Sequence, residues 1–387
     1  MKSSQKIVLS ALAASMVAFT GCGGGDSESA PTTPPPAAGV TCLNSTTNVL
    51  RGDCEVDLVL DASKVYKLEG KVKVKNGANI TIPAGTHFQS AASSYLVVTA
   101  GSTITANGTE AAPIIFDGEA GNGVNGTSGE WGGLTILGNA QTNEAGLVYE
   151  VDSSDADFAF GSITTENNTE SSGSLNYVTI YNSGFAVAEN QEVNGLSLAG
   201  VGSGTQIENI TIYNSGDDGV ELWGGTVNLQ NISITNAQDD SFDVDNGYTG
   251  TVQNLTVVQG PACAALVEMT NSGDANIVRT NVKIENFNLT ASANQAKEGG
   301  LYFKDADTTG TFINGTVDMS QSLTSVDAAL TNGKDTLSVA PTLTGITITK
   351  SANQAATASR KGLPLAPTAG TAVLETAFTT GSGNSIN

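Results

Sequence analysis

The sequence predicts an all-β chain folded as a single-stranded right-handed parallel β-helix, a solenoid with an N-terminal cap. Composition is the first observation. Gly reaches 45 residues, aromatic residues make up only 5%, and Thr, Asn, Ser, Val and Ile dominate, while the Lys and Glu that build exposed helix faces are sparse. The second is a short strand that recurs behind an Asn: Asn79-Ile-Thr-Ile, Asn176-Tyr-Val-Thr-Ile, Asn209-Ile-Thr-Ile, Asn231-Ile-Ser-Ile, Asn254-Leu-Thr-Val and Asn288-Leu-Thr, with later forms at Asn314 and Thr344. Asn209, Asn231 and Asn254 lie 22 and then 23 residues apart, and elsewhere the spacing grows to 33 or 34. That is the period of a β-solenoid coil with loops inserted at one corner. The third is strict alternation in the other strands of each repeat, Val220-Glu221-Leu222-Trp223 and Phe242-Asp243-Val244-Asp245, which sends one face inward and one outward.

The Asn-X-Ser/Thr triplets read as coil corners. Asn tolerates the left-handed conformation and can stack its amides from coil to coil, and the Thr that follows is a strand residue.

Residues 1–21 read as a lipoprotein signal peptide. Lys2 and Lys6 supply the positive start, and Ile7 to Phe19 form an apolar run too short to span a bilayer. Phe19-Thr20-Gly21-Cys22 resembles a lipobox, so Cys22 is expected to carry the lipid. Residues 22–40 form a flexible Gly/Pro-rich tether, stiffened over Pro31 to Pro36. By resemblance to enterobacterial sorting rules, Gly23 favours the outer membrane, facing either periplasm or cell surface. The lipid would be the anchor. Residues 41–70 are expected to cap the solenoid, residues 71–380 to form it, and residues 381–387 to be a disordered tail. Coils are expected to about Lys350, with a crossing loop over residues 362–367 and a last strand or cap over 371–378. Cys42 and Cys54, 12 residues apart in an exported segment, are expected to bridge. Cys263, among apolar neighbours, reads as a buried thiol.

The charge excludes one partner class. With 38 acidic and 16 basic residues the formal charge is −22, which rules out nucleic acid and disfavours anionic lipid surfaces and polyanionic substrates. Divalent cations and neutral or cationic ligands stay compatible.

Several motifs resemble a known group. They are Ile80-Thr-Ile-Pro-Ala-Gly-Thr86, Ile104-Thr-Ala-Asn-Gly-Thr109 with Pro113-Ile-Ile-Phe116, Trp131-Gly-Gly-Leu-Thr-Ile-Leu-Gly138 and Asn194-Gly-Leu-Ser-Leu-Ala-Gly-Val-Gly-Ser-Gly-Thr205. Asp217-Asp-Gly-Val-Glu221 and Asp239-Asp-Ser-Phe-Asp-Val-Asp-Asn-Gly247 complete the set. Together, over about residues 70–260, they resemble surface or outer-membrane lipoproteins of Gram-negative bacteria with a pectin-lyase-like right-handed β-helix. The resemblance implies fold and location, and hints at an accessory of an outer-membrane transporter.

Stacking the coils predicts one unusual surface. With Val220, Leu222, Phe242 and Val244 inward, Glu221, Trp223, Asp243 and Asp245 point out, followed on later coils by Glu268, Tyr302 and Lys304. Asp217-Asp218 and Asp239-Asp240 occupy equivalent corners, 22 residues apart. Coils rise by about 4.8 Å, so these carboxylates crowd one another and need protonation, a basic neighbour or a hard cation. No Lys or Arg occurs between Glu208 and Val278, which makes Ca²⁺ on Asp217, Asp218, Asp239, Asp240, Asp243 and Asp245 the metal expectation. The competing reading is that Asp caps corners through backbone N–H groups and the strip is simply hydrated.

Function follows as a non-catalytic binding or scaffolding role. Glu221, Trp223, Asp243, Asp245 and Tyr302 would meet a glycan, with Trp223, Tyr248 and Tyr302 as stacking surfaces, unless Trp131 and Trp223 merely cover coil corners. The alternative is a polysaccharide lyase or glycoside hydrolase using Asp217, Asp218, Asp239 and Asp240, with Lys304 or Arg279 as base. The Gly-His-Gly and Arg-Ile-Lys motifs of pectinase-type hydrolases are absent, and the single histidine, His87, sits in an early coil as a surface or turn residue.

Overall fold

A computed structural model describes residues 39–188, 191–292, 299–321, 330–332, 337–349 and 371–374. The expected export signal, Cys22, nearly all of the tether, the 362–367 loop, residues 375–378 and the tail lie outside the described residues.

The chain is a right-handed parallel β-helix. Each regular coil contributes one short and one long strand. Short strands Tyr95–Val98, Leu134–Leu137, Leu196–Ala199, Val220–Trp223, Phe242–Asp245, Ala265–Met269 and Gly299–Phe303 stack in parallel register. Long strands Gly173–Tyr181, Gln206–Ser215, Asn228–Ala237, Thr251–Val258, Asn281–Thr290, Thr309–Asp318 and Thr342–Thr349 do the same. Thr371–Leu374 adds an antiparallel strand to the last of these.

Each long strand bends in its middle, at Tyr177 in the first, Gly345 in the last and an asparagine in the five between. Asn209, Asn231, Asn254, Asn286 and Asn314 take φ of 56°, 57°, 60°, 57° and 54°, a left-handed conformation that other L-residues resist. Their amides form a ladder. Nδ2 of Asn209 donates to Asn176 at 2.7 Å, Asn231 to Asn209 at 2.8 Å, Asn254 to Asn231 at 2.7 Å and Asn286 to Asn254 at 3.4 Å. Four positions differ from the repeat as read in sequence, and at two of them the bend falls one residue later, on Tyr177 after Asn176 and on Gly345 after Thr344. Asn286, not Asn288, pairs with the Asn254 position, since Phe287 is opposite Leu255; two Asn residues two apart present the same pattern to a period count. Asn79 starts the strand Asn79–Pro83 and is not a bend residue. A second ladder links Asn236 to Asn214 at 2.5 Å and Asn214 to Asn182 at 3.0 Å.

Inward side chains repeat in columns. One runs Leu175, Ile207, Leu229, Val252, Ile284, Phe312 and Leu343, all buried. Each contributes about 1.5–3 kcal/mol by leaving water. Phe88 and Phe116 stack at 4.3 Å, and Trp131 continues the stack at 5.9 Å, so Trp131 is core rather than corner cover. At Gly315 a Cβ would meet the Phe287 ring at 2.3 Å; glycine there makes room for the ring. Cys42 and Cys54 form a disulfide in the first coil, and Cys263 is buried with its Sγ 2.9 Å from the Gly260 carbonyl. His87 is exposed on the strand His87–Ser90. Among the described residues no helix is long and apolar enough to cross a membrane.

One insertion changes the outside of the solenoid. Between Leu134–Leu137 and Gly173–Tyr181 the chain leaves the coil path, making short 3-10 turns at Glu150–Asp152 and Ala156–Phe158. Its Leu147, Tyr149, Val151, Phe158 and Phe160 pack on outward residues Tyr95, Val97, Leu137, Ala199 and Trp223, forming a second apolar core.

Candidate functional site

The outward face of the short strands is where charge collects. Register aligns Asp53, Lys73, Val97, Thr135, Ser197, Glu221, Asp243, Glu268 and Tyr302 in one column along the solenoid. Alternation sends these side chains away from the core, as expected. The expectation of an open, hydrated shelf is corrected. Trp223 is 8% exposed, Asp243 7%, Asp245 9%, Glu268 2% and Tyr302 5%. At Trp223 the cover is the insertion, whose Tyr149 meets it edge-on at 5.5 Å. Tyr248 is wholly buried and donates its hydroxyl to the Val227 carbonyl at 2.8 Å. Trp223, Tyr248 and Tyr302 therefore offer no open stacking surface to a glycan.

The insertion is held down at the N-terminal end of the column. Lys71 Nζ reaches Asp155 at 2.7 Å and Asp152 at 3.1 Å, and stands 5.1 Å from the Phe158 ring centre. Lys73 pairs with Asp157 at 2.5 Å and Asp155 at 3.0 Å, and Lys75 with Asp157 at 2.5 Å. Burial opposes ionisation of Asp155, yet the hydrogen bonds from Lys71 and Lys73 outweigh it and hold its carboxyl at about 2.

Further along lie the carboxylates. Asp218 and Asp240 are corner caps: Asp218 N donates to Asn194 Oδ1 at 3.1 Å, Asp240 N to Asp218 Oδ1 at 2.7 Å, and Ala265 N to Asp240 Oδ1 at 2.5 Å. Each satisfies an N–H one coil on, so the capping role is real. It leaves both residues with oxygen to offer. Three overlapping groups have ligand atoms within 4.8 Å of one another: Asp217, Asp218 and Asp239; Asp218, Glu221 and Asp243; Asp240, Asp243 and Glu268. The first lies at the rim, where Asp239 is exposed and Asp217 half-buried; the last is wholly buried. Asp243 Oδ1 is buried and has no hydrogen-bond partner. Asn194 Nδ2 donates to Glu221 Oε2 at 2.6 Å. Asp245 stands apart, accepting from Ser272 N at 2.8 Å and Ser272 Oγ at 2.5 Å.

Burial pushes Asp218, Glu221, Asp240 and Asp243 well above the usual carboxylate range, and their mutual repulsion adds to it. Asp217 rises to about 7 through desolvation and then through Asp239, Glu192 and Glu150. Although Glu150 is exposed as a residue, its carboxyl is raised to about 7 by desolvation and by Glu192 and Asp245. Sequence reasoning missed Glu150 and Glu192: they come from the insertion and the hairpin Ala186–Ala188 with Gln191–Glu192, outside the coil repeat. Glu268 was placed on the strip but not counted as a donor.

Four of the residues considered for catalysis have structural partners. Lys304 Nζ donates to Glu268 Oε1 at 2.6 Å, Arg279 pairs with Asp307 at 2.7 Å, and Asp218 and Asp240 cap corners. A sheet of parallel coils with a charged outward face matches a family model, the pectate-lyase-like beta helix domain, over residues 52–387. The chain belongs to that family. No curated protein and no solved structure matches it. Family membership carries the β-helix, and activity has to be argued from the site itself.

A wider concavity of about 460 Å³ lies elsewhere, on the long strands, lined by Gln206, Glu208, Gln230, Gln253, Lys283 and Glu285 among others. Lys283 there pairs with Glu285 at 2.6 Å, and no aromatic ring lines it. The carboxylate cluster carries the more unusual chemistry, because several acids converge there and most of them are buried.

Proposed function

We propose that this chain is an exported, lipid-anchored β-helix of the outer membrane with a non-catalytic, cation-dependent binding or scaffolding role, and that Ca²⁺ is held by Asp218, Glu221 and Asp243. One observation carries the reading: three carboxylates from two successive coils converge within 4.8 Å, and the buried Asp243 Oδ1 has no partner. A hard cation that takes roughly six to eight oxygens suits such a donor set, with water completing the shell. Binding would remove the repulsion that raises these groups. It would also fix the Val220–Trp223 and Phe242–Asp245 coils to each other beneath the insertion, giving a rigid outer face to a partner such as a glycan or a transporter.

Equilibrium dialysis with Ca²⁺ tests the site. The wild-type chain should retain Ca²⁺, and Glu221→Gln with Asp243→Asn should not; retention by the double variant, or none by wild type, refutes it. Mass spectrometry of the exported protein tests the anchor, which predicts a lipid-modified Cys22 and a soluble Cys22→Ser variant. Unsaturated or reducing-end products from a panel of polysaccharides would instead favour an enzyme.

A further inference from the structure

The third carboxylate group, Asp240, Asp243 and Glu268, differs from the other two in one respect. Glu268 Oε1 holds the ammonium of Lys304 at 2.6 Å and also accepts from Thr270 Oγ1 at 3.1 Å. Lys304 follows the strand Gly299–Phe303, where Phe303 is in register with Met269, so it rises from the coil next to Glu268 on the outward side. Asp240 and Asp243 also act on the Lys304 charge. Among the described residues, it is the basic side chain that pairs with this cluster. The ammonium thus neutralises one of the three carboxylates that a metal ion would draw on.

We infer that Asp240, Asp243 and Glu268 form a second, latent cation site, which Lys304 keeps closed to the metal by engaging Glu268. The inference rests on the Ca²⁺ reading above and adds which group takes the ion. Lys304 limits the buried cluster to one Ca²⁺. It also sets the affinity of the occupied site, because Asp243 belongs to both groups. A divalent ion and an ammonium about 5 Å apart repel by about tenfold in affinity even at the dielectric of water.

Isothermal titration of Ca²⁺ into the wild-type chain, Lys304→Met and Lys304→Arg tests this. The expected result is one Ca²⁺ for wild type and for the Arg variant, and two for the Met variant, with the first bound roughly tenfold more tightly. A Met variant that keeps a stoichiometry of one and the wild-type affinity overturns the inference while leaving the Ca²⁺ site intact. Two ions on wild type overturn it as well. No binding to wild type but one ion on Lys304→Met would support the latent site and sink the Asp218–Glu221–Asp243 assignment. No binding to any of the three removes both. Far-ultraviolet circular dichroism and the melting temperature of each variant show that the coil is intact, and Lys304→Gln repeats the test with a polar side chain.

Discussion

Asp243→Asn separates a cation site from a merely acidic surface. The substitution keeps shape and one carbonyl oxygen, and the backbone pairing of Phe242–Asp245 with both neighbouring strands is untouched. In chelator, wild-type Asp243 keeps a buried oxygen without a partner among Asp218, Glu221, Asp240 and Glu268. Such a group costs about 1–3 kcal/mol, and Asn relieves the charge repulsion, so the variant should melt no lower than wild type there. Ca²⁺ at a hundredfold excess over its Kd should stabilise wild type by about 2.7 kcal/mol. For roughly 300 ordered residues at about 2.1 cal/mol/K each, that is about 4 °C if the coils unfold as one unit. The shift is larger if the acidic coils unfold separately, as solenoid repeats can. The variant should gain nothing. Scanning calorimetry in Ca²⁺ and in chelator reads both quantities. A full Ca²⁺ increment in Asp243→Asn, or an identical wild-type melting temperature in both buffers, would refute the site.

The lysine clamp on the insertion gives a pH prediction. Asp155 is depressed to about 2, so its stabilising contribution is complete above its ordinary value of 3.8 and is lost as pH falls through about 2. Lys73 is raised because Asp157 and Asp155 outweigh burial; its contribution is complete below 10.5 and is lost only at more alkaline pH. Asp155→Asn should therefore melt lower than wild type at pH 7, and the difference should vanish near pH 2; a constant difference would show that the charge is irrelevant. Phe158→Ala should cost about 3–5 kcal/mol locally, loosening the insertion. Of the two tryptophans, Trp131 lies in the core stack and Trp223 under the insertion, so emission should shift to the red through Trp223, and Phe158→Ala with Trp223→Phe should lose the shift. In the ladder, Asn231→Ala should lose about 1–2 kcal/mol for the left-handed bend plus about 1 kcal/mol of hydrogen bonding. Asn231→Gly should lose mainly the bonds, and equal losses in denaturant melts would deny the bend its cost.

The fold was legible because period and alternation survive in one dimension. Asn209, Asn231 and Asn254 mark consecutive coils by the one conformation they tolerate, and Val220, Leu222, Phe242 and Val244 point inward because a strand alternates. The same rule correctly sent Glu221, Asp243 and Glu268 outward. Outward and exposed are different properties, however. The periodicity of a strand says nothing about what a distant loop lays over it, and Tyr149, Phe158 and Phe160 lie in a stretch with no coil repeat. Hence the acidic column was found but its burial was not, and Glu150 and Glu192 were missed altogether. The position of Lys304 was visible, but its partner was not, because Glu268 lies 36 residues earlier and only coil register joins them.

The distribution of charge along the covered face bears on what compensates the carboxylates. The insertion brings acids of its own, Asp152, Asp155 and Asp157, to the lysines of the first coils. Those lysines are thereby consumed at one end of the column, and among the described residues the other end receives Lys304. Tyr149 and Trp223 exclude water between the two ends, which lowers the local dielectric and sharpens every repulsion among Asp218, Glu221 and Asp243. Protonation of several of them would leave a neutral, hydrogen-bonded patch, and a bound cation is the other way to relieve the same repulsion. A cation entering past Asp217 and Asp239 at the rim satisfies the partnerless Asp243 Oδ1 and its neighbours at once. The cover thus makes the acids costly alone and strengthens their hold on an ion.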